Sequence, residues 1–267
     1  CYFSLDKDSN SEEIGIEGGS MTGQVSVMKM STKEQAELVY TSTLSLIDIH
    51  RSLYTKVITI LPKFVIINNT DEKLLLTQEK LNDDFTIIDS HARDNFRWLN
   101  GEGTKMVMIK CLDCKAPDPI NEWAWSSPFN LEEIGAQNLR NVSRNNPDMF
   151  MYWKVDRRIQ NEMIYITVDK EDEKHPLYLI ENKAKHIILK YKQKSEKNSE
   201  YLDTSESKRF AWDNLYEKHV LQCEAWFKGK KNVKLCNINI NLDELEKNEE
   251  FRYNLEEIID SDELLEC

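Results

Sequence analysis

Glycine is scarce in this 267-residue chain, which contains only eight. No glycine-rich loop able to cradle a phosphate is present, and neither is a G-x-S-x-G nucleophile elbow. The five histidines, at 50, 91, 175, 186 and 219, are scattered and unpaired, and nothing singles out a catalytic carboxylate pair among the 47 acids. No run of about 18 apolar residues occurs, so no segment reads as a membrane-spanning helix. The opening Cys1-Tyr-Phe-Ser-Leu-Asp6 lacks the charged leader and apolar core of a signal peptide, and a chain starting at Cys1 reads as part of a longer one. Six cysteines without an even ladder of spacings point to a reducing compartment rather than a disulfide framework. Cys111-Leu-Asp-Cys114 lacks a second ligand pair, since Cys223 and Cys236 carry no paired spacing, and it reads as structural thiols rather than a zinc site. These absences point to a non-enzymatic protein with no cofactor and no metal.

What is present describes a globular protein. Apolar content is 40% with six Trp, and the length suits one large domain or two ordinary ones. Net charge is −12, unevenly spread: Asp243 to Cys267 holds 11 Asp/Glu against two Lys/Arg. That balance works against broad nucleic-acid binding and against charge-driven docking on anionic lipid, though a local patch such as Lys183 to Lys197 stands apart from it. Asn68-Asn-Thr70 and Asn141-Val-Ser143 match the glycosylation acceptor pattern but are discounted without a secretion signal.

The sequence repeats itself. Pro62-Lys-Phe-Val-Ile-Ile-Asn68-Asn-Thr70 returns 114 residues later as Pro176-Leu-Tyr-Leu-Ile-Glu-Asn182-Lys-Ala184. The same offset carries Phe96-Arg-Trp98 onto Phe210-Ala-Trp212, while Leu74 to Gln78 answers Ile187 to Gln193 within one residue. Phe3-Ser-Leu-Asp6 is echoed by Phe129-Asn-Leu-Glu132 and again by Ile240-Asn-Leu-Asp243. Two blocks held in step over that distance suggest a duplicated module cut from an array. The expected division is 1–128, 129–241 and a tail at 242–267.

Short β-branched runs recur at Gln24 to Met30, Leu44 to Ile49, Val57 to Ile60 and Phe64 to Ile67, and then at Leu74 to Leu76 and Met106 to Ile109. In the second copy they fall at Ile164 to Val168, Leu177 to Ile180, Ile187 to Tyr191, His219 to Cys223 and Val233 to Ile240. This spacing, with almost no helical periodicity, predicts an all-β fold: tandem antiparallel β-sandwich repeats. Asn69-Thr-Asp-Glu72 reads as a turn compatible with a hairpin, and residues 1–20 read as a loop. Only the acidic tail differs; Leu242, Leu245, Phe251, Leu255, Ile258 and Ile259 fall at the steps of an amphipathic helix.

With these motifs in hand, the chain resembles the adaptor-binding (SHR-binding) domain of the vacuolar-protein-sorting thirteen, or chorein, family of bridge-like lipid-transfer proteins. The carriers are the repeated Pro-x-aromatic-aliphatic-aliphatic-x-Asn blocks, the downstream Phe-x-Trp pairs, and Trp125-Ser-Ser-Pro-Phe-Asn-Leu-Glu-Glu-Ile-Gly135. The resemblance covers residues 1 to about 245. It implies β-sandwich repeats each carrying an Asn at the position of Asn68 and Asn182, and capture of Pro-x-Pro peptides from membrane-bound adaptors. It also implies a longer lipid-transfer chain, cytoplasmic and peripheral on endosomal, vacuolar or mitochondrial membranes. Ligand capture near the end of the family's array points at Asn182 rather than Asn68, and Ala184 departs from the family's Thr or Ser.

The candidate peptide-binding residues are therefore Asn182, Tyr178, Ile180, Tyr191, Phe210 and Trp212, with Asn68 as the structural repeat Asn. An Asn amide carries donors and an acceptor, so it suits an extended ligand's backbone; the same group also suits a cap on its own strand end. Phe210 and Trp212 at period two suit either a core or the flat walls that a proline-rich segment prefers. Two alternatives remain: a passive spacer, and a calcium-dependent lipid-binding sandwich built on Asp83, Asp84, Asp89 and Asp94.

Overall fold

The computed structural model describes residues 9–11, 21–29, 33–48, 53–81, 83–112, 120–146, 148–228 and 233–242. Eighteen strands lie among them. The chain divides into two compact units, Cys1–Glu171 and Asp172–Cys267.

In the first unit, β1 (Ser9–Ser11), β2 (Met21–Lys29), β3 (Gln35–Asp48) and β4 (Leu53–Pro62) form an antiparallel sheet in chain order. The strand at Ser9–Ser11 falls where a loop was expected; its three polar residues carry no apolar period, and pairing with β2 supplies the ladder instead. Next come β5 (Phe64–Asn68), β6 (Lys73–Gln78), β7 (Thr86–Ile88), β8 (Arg93–Asn95) and β9 (Val107–Leu112). The turn-rich Asn69 to Glu72 does not close a hairpin. It carries the chain from one sheet to another, because β5 pairs with β8 while β6 pairs with β7 and β9.

The unit is completed by β10 (Gly135–Val142), β11 (Phe150–Gln160) and β12 (Met163–Lys170), which join β5 and β8 in the order β10-β11-β12-β5-β8. The β12–β5 pairing is parallel, with Ile164 opposite Phe64 and Val168 opposite Asn68, whereas the other strand pairings among the described residues are antiparallel. Strand β5 sits between two neighbours and is buried along most of its length, which suits a continuous β-branched run rather than an alternating one. Expectation placed a boundary at 128/129, whereas these three strands lie within the first compact unit. Phe129 itself is fully buried and bridges Val107, the first residue of β9.

The second unit repeats the middle of the first with β13 (Tyr178–Glu181), β14 (Ile187–Gln193), β15 (Glu200–Leu202), β16 (Ser207–Phe210), β17 (Val220–Phe227) and β18 (Val233–Asn241). Strand β13 pairs with β16, and the other four form the sheet β15-β14-β17-β18. Element for element, β13 to β17 reproduce the pairings of β5 to β9. Tyr191, Leu202, Phe210, Trp212, Leu221 and Cys223 make its core, with Ile240 and Leu242 packed against it. Of the tail at 242–267, expected to be helical, all but Leu242 lies outside the described residues.

Candidate functional site

The two Asn motifs have matching hydrogen-bond partners. Asn68 is fully buried, and its Nδ2 donates to the carbonyls of Glu72 (2.8 Å), Asp89 (2.9 Å) and, at longer reach, Ile88 (3.4 Å). Asn182, also buried, donates to Ile187 (2.7 Å), Asp203 (2.9 Å) and Leu202 (3.3 Å). Both Oδ1 atoms accept the N–H two residues on, from Thr70 at 3.0 Å and Ala184 at 3.2 Å. Each amide therefore ties the end of its strand to the turn entering the next strand and to the loop 20 residues downstream. The Thr70 hydroxyl adds a 2.7 Å bond to Asn68 Oδ1 that Ala184 has no group to make.

A second match lies beneath each Asn. Phe96 and Trp98 meet edge to face at 4.8 Å and 88°, as Phe210 and Trp212 do at 5.0 Å and 86°. The motif aromatic completes each triad: Phe64 is 6.2 and 6.0 Å from its two partners, Tyr178 6.4 and 5.9 Å from its own. Edge-to-face contact sets ring edge against ring face, the favourable sense of the aromatic quadrupole. Gln78 and Gln193 extend the likeness; each exchanges two amide bonds with the backbone of a downstream Asn, Asn100 or Asn214.

The candidate residues are thus gathered in one place. Asn182, Tyr191, Phe210 and Trp212 are buried in the second unit, while Tyr178 and Ile180 are half-buried against its core. The amide of Asn182 is spent on its own backbone, and the rings of Phe210 and Trp212 face one another. What remains accessible is the strand they support. The N–H of Asn182 donates to Glu206 of the β16 side at 2.8 Å, so by alternation the peptide groups of Leu179 and Glu181 point to the opposite edge. Among the described residues no strand pairs with that edge. Leu179, on the face opposite Tyr178 and Ile180, is half exposed. The same edge of β5 is filled by β12.

The first unit holds a buried charge cluster. Lys63 is buried and bonds both Glu37 (2.9 Å) and Glu132, while Trp98 Nε1 donates to Glu37 at 2.8 Å. Burial pulls the Lys63 ammonium down, but its bonds to Glu132 and Glu37 outweigh this and leave it above the ordinary lysine value. Lys105 lies over the Trp98 ring at 4.6 Å, and burial holds it below that value despite Glu37. A cleft of about 390 Å³ opens between β5 and β8 on one side and β6 and β7 on the other, lined by Ile66, Phe85, Ile88 and Phe96 among others.

Other sequence candidates resolve plainly. Among the described residues no group of three or more His, Cys, Asp or Glu is placed to hold a metal, and Asp89 is paired with Lys73 at 2.6 Å. Cys111 is buried in β9, and Cys114 lies outside the described residues. Asn141, one of the two acceptor-pattern asparagines, is fully buried, donates to Ile109 and Ala124 and accepts from Trp153 Nε1. Lys190, Lys192 and Lys197 of the basic stretch line a shallow polar hollow with Ser199, Gln222 and Glu224. Sequence reasoning did not foresee the free edge of β13. Its only signal was the contrast between Val65-Ile-Ile67 and Leu179-Ile-Glu181, where a charged residue replaces an aliphatic one.

Comparison with known proteins bears on the whole arrangement. The family model described as "Vacuolar-sorting associated protein 13, adaptor binding domain" matches residues 1–218. The chain is 24% identical over 198 residues to "Intermembrane lipid transfer protein vps13B" of Dictyostelium discoideum, which covers 70% of this chain and 3% of that protein. It is 24% identical over 147 residues to "Intermembrane lipid transfer protein vps13A" of the same organism, covering 54% of this chain and 4% of the relative. The matched stretch is a small fraction of either relative.

Proposed function

The chain belongs to the family of vacuolar-sorting associated protein 13 adaptor binding domains, and from that premise we propose that it is a non-enzymatic module capturing Pro-x-Pro segments of membrane-bound adaptors. On this reading it directs a bridge-like lipid-transfer protein to membrane contact sites at endosomal, vacuolar or mitochondrial membranes.

The observation that carries the reading is the free edge of β13, with Leu179 beside it. A segment added to a strand edge uses the N–H of every second residue only. Proline has no N–H, so two prolines one residue apart are tolerated when the residue between them makes the bonds. Opposite Ile180, that middle residue would meet the carbonyl of Leu179 and the N–H of Glu181, while the two rings would lie on the Leu179 face. A peptide already extended loses little freedom on docking. Tyr178, Ile180, Tyr191, Phe210, Trp212 and Asn182 act by holding β13 in place rather than by touching the ligand's backbone. Asn68 does the same for β5.

The test is retention of a Pro-x-Pro peptide array on immobilised protein, with affinity on the order of micromolar for so small an interface. Leu179→Asp, at an exposed position, is expected to abolish retention with the circular dichroism spectrum unchanged. Asn182→Ala and Asn182→Ser are expected to abolish it while the protein remains folded at 25 °C. If no array member is retained, the spacer reading stands instead. If calcium raises the melting temperature and drives liposome co-sedimentation, the lipid-binding reading stands.

A further inference from the structure

The cleft of the first unit lies where the second unit holds a ring. Asn68 reaches the carbonyl of Ile88 as Asn182 reaches that of Leu202, which equates those two residues. Leu74 pairs with Ile88 and Leu189 with Leu202, so Leu76 of β6 answers Tyr191 of β14, and Thr86 answers Glu200. The Tyr191 ring is fully buried, meets Phe210 edge to face at 6.1 Å and donates its hydroxyl to Glu200 at 3.1 Å. Leu202 shares its core cluster, with Ile180 packed against it.

The first-unit counterparts of Ile180, Tyr191, Glu200, Leu202 and Phe210 are Ile66, Leu76, Thr86, Ile88 and Phe96, and all five line the cleft of about 390 Å³. A leucine side chain ends two bonds beyond Cβ, whereas a tyrosine carries a ring and a hydroxyl past that point. Tyr191 therefore fills the space from within, and Leu76 leaves it open. Interiors packed at protein density hold few voids of this size, and sites for small ligands begin at about 300 Å³. The mouth is acidic. Asp94 of β8, on the lining, is exposed and makes no ion pair with any described residue. Glu34 also lines it, and the single base there, Arg97, lies 3.9 Å from Glu34. Phe85, half-buried on the lining, follows the exposed Asp83 and Asp84 directly.

We propose that this cleft is a binding site for a tyrosine side chain, presented beside lysine or arginine by a segment of a partner protein. The ring takes the place that Tyr191 holds in the second unit, with its edge or face against Phe96 and its sides against Ile66 and Ile88. Its hydroxyl comes to Thr86, whose own hydroxyl both donates and accepts, where Glu200 serves Tyr191. The partner's cationic residue meets Asp94 and the acids before Phe85, which gives the pairing its sign. The site belongs wholly to the first unit and makes no use of the β13 edge.

Nitrogen-15 NMR of the whole chain, titrated with the blocked tripeptide Lys-Tyr-Lys, tests the site. Shifts centred on the amides of Thr86, Ile88 and Phe96 are expected, saturating with a Kd on the order of millimolar for so small a ligand. Blocked Lys-Ala-Lys is expected to leave those amides unmoved, and blocked Glu-Tyr-Glu to bind about threefold or more weakly at low salt. Leu76→Tyr plugs the cleft as Tyr191 does and is expected to abolish the shifts; Thr86→Trp, at a half-buried position of the lining, serves as a second variant if the first does not fold. An unmoved wild-type spectrum, as when the chain's own residues occupy the cleft, overturns the proposal. So do equal shifts with the alanine or glutamate peptide, or shifts that survive in a folded variant. A chain that retains Pro-x-Pro peptides but ignores Lys-Tyr-Lys refutes this site and spares the edge reading. One that binds Lys-Tyr-Lys at Thr86 and retains no Pro-x-Pro peptide does the reverse.

Discussion

Replacing Asn182 with Ala tests the central structural claim, that this amide holds β13 in place. The side chain makes two firm bonds, to the carbonyls of Ile187 and Asp203, a longer one to Leu202, and accepts the N–H of Ala184. A buried intramolecular bond is worth about 1 kcal/mol net, and a carbonyl stranded without water costs about 1–3 kcal/mol. Part of the loss is recovered because the Ile187 and Asp203 ends are only partly buried. The expected cost is about 2–4 kcal/mol, within the 5–15 kcal/mol typical of a domain, so the protein stays folded at 25 °C. At roughly 4–8 °C per kcal/mol for a unit of this size, calorimetry should show the melting temperature falling by about 8–30 °C. Hydrogen exchange should show the loosening in β13, β15 and β16 and not in β5. Asn68→Ala is expected to cost more in the first unit, since Asn68 also holds the Thr70 hydroxyl. Asn182→Asp turns oxygen toward three carbonyls and is expected to be worse than Ala. An Asn182→Ala protein that melts with the wild type, or an Asp variant milder than Ala, would refute the reasoning, because the amide would then be free.

Four further outcomes follow from named residues. Lys63→Met strands Glu37 in a largely buried place with only Trp98 and the more distant Lys105, and should cost about 3 kcal/mol by urea unfolding; adding Glu37→Gln should restore part of it. Because the folded Lys63 ammonium sits above its ordinary 10.5, its stabilisation is complete below that pH and is lost as pH rises through the folded value, so the first unit should weaken at strongly alkaline pH and Lys63→Met should flatten that decline. Gly135 opens β10 at φ +124°, a region nearly closed to other residues, so Gly135→Ala should lower stability by about 1–3 kcal/mol although nothing stands within 4 Å of the added methyl. Burial, then the neighbouring Cys236, pushes the Cys223 thiol up to about 11, so mass spectrometry after iodoacetamide at pH 8 should find Cys236 alkylated well before Cys223.

Much of the fold could be read from side-chain period alone. The repeat between Pro62 and Pro176 was legible because an aromatic, two aliphatics and an Asn must recur together for the triad and the amide clasp to form. Strands β10 and β11 were not legible. Gly135-Ala-Gln-Asn-Leu-Arg-Asn-Val142 carries little apolar signal because Asn141 is buried through hydrogen bonds rather than through hydrophobicity. The Asn69 to Glu72 turn misled for a related reason: turn chemistry announces a change of direction, not which sheet the chain enters next. Tyr178, Ile180, Tyr191, Phe210 and Trp212 fall together because they share one core, with Asn182 buried in the same unit. What each does is not legible in sequence, since an Asn at a strand end looks the same whether its amide faces a ligand or its own backbone. Edges escape sequence reasoning most completely, as they depend on which neighbour a strand lacks.

The parallel seam between β12 and β5 has a practical corollary. A chain ended at Pro128 would keep every residue of the first Asn motif yet strip the covering strand from β5, laying Phe64 to Asn68 bare along one side. Such a fragment should be sticky and prone to precipitate, while one ended at Glu171 should behave. The shelter of β5 comes from material that the sequence counts as belonging to the next copy.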